Sequence, residues 1–148
     1  MHAPSLQQLI PVLQLAIGPV ILISGIGLLM LSMTNRYGRT IDRARDLALK
    51  RRQGTTESIG SIDAQLRIIM RRAVIMRRAI ALAAVSILLA AILIIVLFTT
   101  ALVNVDVAWA LAAIFIACLA ALIASMINFI RDINESLSAL KMEVGASF

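Results

Sequence analysis

The chain has 148 residues, of which 61% are apolar and 15% charged, and its mean hydropathy is +0.96. A soluble domain of this length does not need so much apolar surface, whereas membrane-spanning chains do. One cysteine and one histidine exclude an intrachain disulfide and a structural Cys/His metal site. The net charge of +6 is gathered beside long apolar runs, which favours a membrane protein with basic loops over a soluble nucleic-acid-binding protein.

The first 35 residues contain no Lys, Arg, Asp or Glu. Residues 13–33 are long enough to cross a hydrocarbon core of about 30 Å, since a helix rises about 1.5 Å per residue. The run lacks a basic segment before it and a small-residue cleavage site after it, so we predict a retained span rather than a cleaved signal peptide. Pro11 and Pro19 are expected to kink the helix that contains this span.

The basic segment, residues 35–78, carries 12 of the 14 Lys and Arg residues. Its first half repeats apolar residues at helical spacing, and its second half has an a/d seam over about three heptads. A turn-like cluster at residues 53–56 separates the halves. The pattern predicts an antiparallel helical hairpin with Gly38 as the expected bend. The seam residues of the second half are Ile59, Ile62, Leu66, Ile69, Ala73, Met76 and Ile80.

Residues 79–103 form the second predicted span and residues 107–130 the third, with a tight turn at residues 104–106 between them. The tail, residues 131–148, keeps an apolar seam and is expected to pack as a helix against the hairpin, fraying after Gly145. The sequence therefore predicts a single all-α membrane domain, residues 1–148. It has three transmembrane helices, a long cytoplasmic antiparallel helical hairpin and a C-terminal cytoplasmic helix.

The distribution of basic residues predicts the orientation. All 14 lie in the hairpin and the tail, and none lies on the other side of the predicted spans. Because loops rich in Lys and Arg stay in the cytoplasm, the N-terminus is expected outside and the C-terminus in the cytoplasm.

Signatures of catalysis are absent from the sequence. The one histidine is His2, and there is no phosphate-binding glycine loop, metal-ligand spacing or nucleophile with a neighbouring base. We therefore expect no enzymatic activity, no cofactor and no metal. Asp106 is the one acid outside the basic segment and tail; its favoured role is capping the third span, and the alternative is an acidic ring at the outer mouth of an oligomer.

Small residues recur along one side of each span. Gly18, Gly25 and Ser32 are spaced by seven, and Gln14 lies one turn before Gly18. The favoured interpretation is close helix packing, since small side chains let helix backbones approach in a membrane. The alternative is a conduit whose polar lining faces water or protein. Its candidate lining residues are Gln7, Gln14, Gly18, Ser24, Gly25, Ser32 and Asn128. Similar stripes are Ala79, Ala83, Ser86 and Ala90 in the second span, and Ala113, Ala117, Ala120, Ala124 and Asn128 in the third.

Arginines cluster where the basic segment meets the spans. They are candidate contacts for anionic lipid headgroups or other anions, although the favoured interpretation is a topology signal alone. Tyr37 is the one aromatic residue of the segment, so no nucleic-acid partner is expected. Asp42 and Asp132 are expected to form exposed ion pairs with neighbouring arginines. The candidate anion contacts are Arg36, Arg39, Arg71, Arg72, Arg77 and Arg78.

The motif NRYGRTIDRARDL at residues 35–47, with RRAVIMRRAIAL at residues 71–82, resembles a bacterial family of small three-span membrane proteins known only as a domain of unknown function. The resemblance implies a bacterial inner-membrane protein and brings no catalytic residues, substrate or cofactor.

The seams and small-residue stripes offer more interface than one copy can cover. We therefore expect a homo-oligomer, a ring that conducts ions and carries a basic cytoplasmic vestibule. The alternative is a non-catalytic scaffold or adaptor whose hairpin docks a protein partner or anionic lipid.

Overall fold

Three long helices make up the described chain. The computed structural model describes residues 6–53, 56–103 and 107–145, with side chains described for 10–53, 60, 62–103 and 107–135. Helix α1 spans Leu6–Gln53, α2 Thr56–Val103 and α3 Ala108–Gly145. Every described residue except Val107 is helical, which confirms the all-α prediction. Both predicted turns fall at helix ends, although residues 54–55 and 104–106 lie outside the described residues.

Each helix runs without a break through the predicted boundary between span and basic segment. Helix α1 continues through Gly38, so the bend predicted there does not interrupt it. It also continues through Pro11 and Pro19, although each proline lacks an N–H donor and its ring crowds the preceding turn. Helix α3 includes both the third span and the tail. Continuous helices satisfy almost every backbone polar group internally, as a hydrocarbon environment requires.

All three helices are long and apolar enough to cross a membrane. At most 22% of the apolar window of any helix is buried inside the protein. Because a single copy covers so little of this apolar surface, the rest is available to lipid or to other copies. The predicted membrane location is therefore confirmed.

The chain divides into two compact units, and all three helices contribute to both. The first unit comprises Met1–Met30 and Leu82–Ile123, and the second comprises Leu31–Ala81 and Ala124–Phe148. Alanines dominate the buried positions, which permits close approach of the helices. The first core contains Ala16, Ile26, Ala83, Ser86, Ala90, Leu93, Cys118 and Ala121, and the second contains Met33, Ala44, Ile69, Ala73, Met76, Ala79, Ser125 and Asp132.

Helices α2 and α3 are joined by buried polar contacts in each unit. In the first, Ser86 Oγ donates to the Cys118 carbonyl at 2.9 Å and Cys118 Sγ donates to the Ser86 carbonyl at 3.2 Å. In the second, Ser125 Oγ donates to the Ala79 carbonyl at 2.7 Å, and Arg72 Nε faces Asp132 Oδ1 at 3.5 Å. Within the second unit the partner numbers rise by seven on α2, from 72 to 79, and fall by seven on α3, from 132 to 125, which is an antiparallel heptad register.

Candidate functional site

The second unit contains a cavity of about 290 Å³ with basic walls, here called the arginine cavity. All three helices contribute side chains to it, and Ile69 and Met76 of α2 give it an apolar floor. Its polar lining residues are Arg36, Arg39, Thr40 and Arg43 of α1, Arg72 of α2 and Asp132 of α3.

The three arginines of α1 reach the same cavity because of their spacing. Residues 36, 39 and 43 are three and four apart, so they lie on one side of a helix. Like charges at this spacing destabilise a helix by a few tenths of a kcal/mol per pair. An anion between the guanidinium groups would remove that repulsion, and each guanidinium offers a planar set of N–H donors to it.

Asp132 lies behind Arg72 and is only 1% exposed, while the Arg72 side chain is 20% exposed. The Nε–Oδ1 distance of 3.5 Å is longer than a good charge-assisted hydrogen bond. Both Arg72 Nε and Asp132 Oδ2 are buried without a hydrogen-bond partner in the described chain. The pair is therefore close enough to attract but leaves hydrogen-bonding capacity unused. Sequence reasoning predicted that Asp132 pairs with an arginine but wrongly placed it on the surface.

Arg36 is held by an aromatic ring. Its guanidinium carbon lies 5.5 Å from the centroid of Phe129, which is within cation–π range. Its backbone carbonyl accepts a hydrogen bond from Thr40 Oγ1 at 3.0 Å. The ring contact restricts the Arg36 side chain before any ligand arrives.

Other carboxylates of the described residues are engaged elsewhere. Asp42 pairs with Arg45 at 3.9 Å and Asp46 with Lys50 at 3.1 Å, as expected for helical neighbours. Asp63 accepts two contacts from Arg51, at 2.8 and 3.2 Å. The arginine cavity therefore has four guanidinium groups against one carboxylate, a formal excess of three positive charges.

The six predicted anion contacts do not form one cluster. Arg36, Arg39 and Arg72 line the arginine cavity. Arg71 instead lies 3.9 Å from Glu135, and Arg77 and Arg78 are exposed and outside the cavity lining. Arg43 joins the site and was missed by sequence reasoning, although its position four residues after Arg39 is the signal that could have found it.

A second feature is the predicted polar stripe of α1. Gln14, Gly18, Ser24, Gly25 and Ser32 are all exposed. A Cβ built on Gly18 or Gly25 would meet nothing within 4 Å, so nothing in the described chain packs there. Asn128 of α3 is half-buried and donates to the Ala124 carbonyl at 2.7 Å. The side chain of Gln7, and Asp106 entirely, lie outside the described residues.

The small-residue stripes of α2 and α3 have different environments. Ala79, Ala83, Ser86 and Ala90 of α2 are buried, as close packing requires. On α3, Ala113, Ala117 and Ala120 are exposed, and the buried side instead carries Cys118, Ala121 and Ser125. Helix packing within one copy therefore explains the stripe of α2 but leaves the stripe of α1 and the first three alanines of the α3 stripe uncovered.

Comparison with known proteins gives a family without an assigned activity. No curated protein and no solved structure matches the chain significantly. The model of one family, described as "Protein of unknown function (DUF2721)", matches residues 16–142. With its three long apolar helices, the chain is thus an integral membrane protein that belongs to this family.

Proposed function

We propose that this protein assembles into a homo-oligomeric ring in the bacterial inner membrane and conducts ions along the ring axis. The observation that carries the proposal is the exposed stripe of α1, which includes Gln14, Gly18, Gly25 and Ser32. A repeated head-to-tail contact between identical copies either closes into a ring or continues into a filament, and closed symmetry is the usual outcome in soluble homo-oligomers.

The chemistry of a bilayer supports an interface or a water-filled path at this stripe. Lipid tails offer no hydrogen-bond partner, and an unsatisfied polar group in hydrocarbon costs several kcal/mol. The exposed amide of Gln14 therefore needs another copy or water beside it. The buried residues Ala16 and Ile26 occupy a different side of α1, which leaves the stripe free for this contact.

The basic segment would then form a vestibule at the cytoplasmic mouth, where its positive charge enriches anions. The cytoplasmic position of the hairpin and C-terminus is part of the proposal, and it rests on the positive-inside rule. The Arg51–Asp63 contacts between the end of α1 and the start of α2 support the hairpin arrangement.

Ion flux through reconstituted protein tests the proposal. The full chain is placed in vesicles and flux is followed under an imposed potential, with Gln14→Leu and Ser32→Leu as lining variants. We expect both to lower flux. Val20→Leu is the matched control, because Val20 is an exposed α1 residue on a different side of the helix from Gln14 and Ser32. Absence of flux at any potential or pH, or an equal loss in the control, contradicts the proposal.

A scaffold or adaptor function is the second candidate, favoured by a mixed surface on α2. Met70 and Val74 are exposed beside Arg67 and Arg71, which is a surface suited to a partner with acidic and apolar residues. A photo-crosslinker at Met70 in the full chain should trap one discrete partner in cells, and the same group at buried Met76 should not. Equal or absent crosslinking at both positions contradicts this function.

A further inference from the structure

We infer that the arginine cavity is a binding site for a phosphoryl group carrying two negative charges. This inference is independent of ion conduction, since it rests on the second unit alone. The ligand could be the phosphomonoester headgroup of a lipid or free inorganic phosphate, and both present the same chemistry to the protein.

The balance of charge in the cavity indicates an anion. Arg39 and Arg43 have no ion-pair partner among the described residues, and Arg36 contacts an aromatic ring rather than a carboxylate. The single carboxylate, Asp132, faces Arg72. The cavity has a formal excess of three positive charges. A dianion matches this excess better than a monoanion, because it offsets more of the repulsion between the guanidinium groups.

The geometry of the donors indicates a tetrahedral oxyanion. Guanidinium groups bind carboxylate and phosphate oxygens through paired N–H donors, and several converging on one cavity satisfy several oxygens at once. Nε of Arg72 is buried and faces Asp132 Oδ1 at 3.5 Å, and the Arg72 side chain also lines the cavity. Asp132 therefore acts as a positioning residue for Arg72 rather than as a contact for the anion.

The unsatisfied Nε of Arg72 is the second observation that points to an anionic ligand. Asp132 Oδ2 and Arg72 Nε are both buried with no hydrogen bond in the described chain. Buried polar atoms are seldom left this way, because each costs about 1–3 kcal/mol. An anion that fixes the position of the Arg72 guanidinium would allow the 3.5 Å contact between Nε and Asp132 Oδ1 to shorten into a hydrogen bond. Asp132 Oδ2 is an acceptor and gains no partner from an anion.

The size and lining of the cavity restrict the rest of the ligand. About 290 Å³ is at the lower end of small-molecule sites. No aromatic side chain lines the cavity, so it offers no stacking surface for a nucleobase. The cavity therefore suits a phosphate with a small substituent and not a nucleotide.

The position of the residues along their helices makes a lipid source accessible. Arg36 directly follows the uncharged residues 1–35, and Asp132 comes two residues after the uncharged stretch 107–130. Lipid phosphates lie where such uncharged stretches leave the hydrocarbon.

Binding to the purified full chain tests the inference in two arms. In the first, the thermal unfolding midpoint in detergent is followed with inorganic phosphate against sodium chloride of equal ionic strength. In the second, retained lipid is measured by native mass spectrometry from nanodiscs of phosphatidylcholine with 10% phosphatidic acid or 10% phosphatidylglycerol. Ligands that bind only the folded protein raise its midpoint. We expect stabilisation by phosphate and preferential retention of phosphatidic acid.

Matched variants separate the site from general positive charge. Arg43→Gln and Arg39→Gln should each weaken binding at least tenfold. Arg45→Gln is the control, because Arg45 is an exposed arginine of the same helix that does not line the cavity; it should change affinity less than twofold. Asp132→Asn should weaken binding less than Arg43→Gln if it only positions Arg72.

Each pattern of results is decisive. If only one arm shows binding, and Arg43→Gln loses it while Arg45→Gln keeps it, the site is supported. The arm that shows binding then identifies the ligand as a lipid headgroup or as free phosphate. Binding in both arms with the same variant pattern supports a site for the phosphoryl group itself. The inference is overturned if Arg45→Gln loses as much affinity as Arg43→Gln, or if phosphatidylglycerol is retained as well as phosphatidic acid. It is also overturned if neither arm shows binding.

Discussion

Asp132 is a carboxylate that is 1% exposed and lies 3.5 Å from the Nε of Arg72. Removing one partner of a buried ion pair commonly costs about 3–5 kcal/mol, because the other charge stays buried without compensation. Arg72 is 20% exposed and can reach water, so the loss should be smaller. The pair therefore contributes more to the position of Arg72 than to the stability of the fold.

We predict that Asp132→Asn lowers stability by about 1–3 kcal/mol, since Arg72 loses its countercharge. The measurement is the thermal unfolding midpoint of the full chain in detergent. Replacing both partners, with Arg72→Met and Asp132→Leu together, should recover part of the loss because no buried charge remains. An unchanged midpoint in Asp132→Asn would show that the contact does not form.

Ser86 and Cys118 exchange two hydrogen bonds across α2 and α3, and both residues are fully buried. Interhelical hydrogen bonds in membrane proteins average about 0.6 kcal/mol and reach about 1.7 kcal/mol. Ser86→Ala should therefore lower stability by about 0.5–1.5 kcal/mol.

Thr99→Ala is the matched control for Ser86→Ala, because Thr99 Oγ1 donates to Ile95 of its own helix and the residue is exposed. It should leave the midpoint in detergent nearly unchanged. An effect of equal size in both variants would show that the contact between helices adds nothing.

At the scale of the helix, the three helices were predictable from the long uncharged runs and the helical spacing of the basic segment, and their ends from the turn-forming residues at 53–56 and 104–106. The buried face of α3 was not predictable in the same way. Two sides of α3 carry small residues: the alanine stripe and the side that is buried. Which of the two is buried depends on which side of α3 packs against a neighbouring helix. Cys118, Ser125 and Asp132 are spaced by seven, as are Arg72, Ala79 and Ser86, so the matching register was present in the sequence. Spacing alone could not show that these two sets face each other.

The stripe of α1 gives a test at the same scale. A Cβ at Gly25 would meet nothing within 4 Å, so Gly25→Leu should leave a single copy folded. In an oligomer packed through this stripe the added side chain would separate the helices, since small residues allow the close approach. We predict that Gly25→Leu reduces the number of copies per complex while helicity stays constant, as measured by native mass spectrometry and circular dichroism.

Val20→Leu adds bulk at an exposed α1 position on a different side of the helix from Gly18 and Gly25, and it should keep the complex intact. Loss of the complex in this control, or an intact complex in Gly25→Leu, would show that the stripe is not the interface.

At the scale of the whole molecule, the positive charge predicts one orientation in the membrane. A cysteine at Gln53, an exposed residue at the end of α1, should react with an impermeant maleimide only after spheroplasts are permeabilised. A cysteine at Ala3 should react in intact spheroplasts. The native Cys118 is buried and should contribute little background. The reverse labelling pattern would show that the N-terminus is cytoplasmic and the hairpin is outside, which contradicts the predicted orientation.

The mass of the complex tests the central claim most directly. Each 16.0 kDa chain leaves most of its apolar surface and the whole described stripe of α1 uncovered. Native mass spectrometry of the protein released from nanodiscs should therefore give a single species of several copies, consistent with a closed ring. A monomer across the accessible range of protein-to-lipid ratios would contradict the ring and, with it, conduction along an axis between copies.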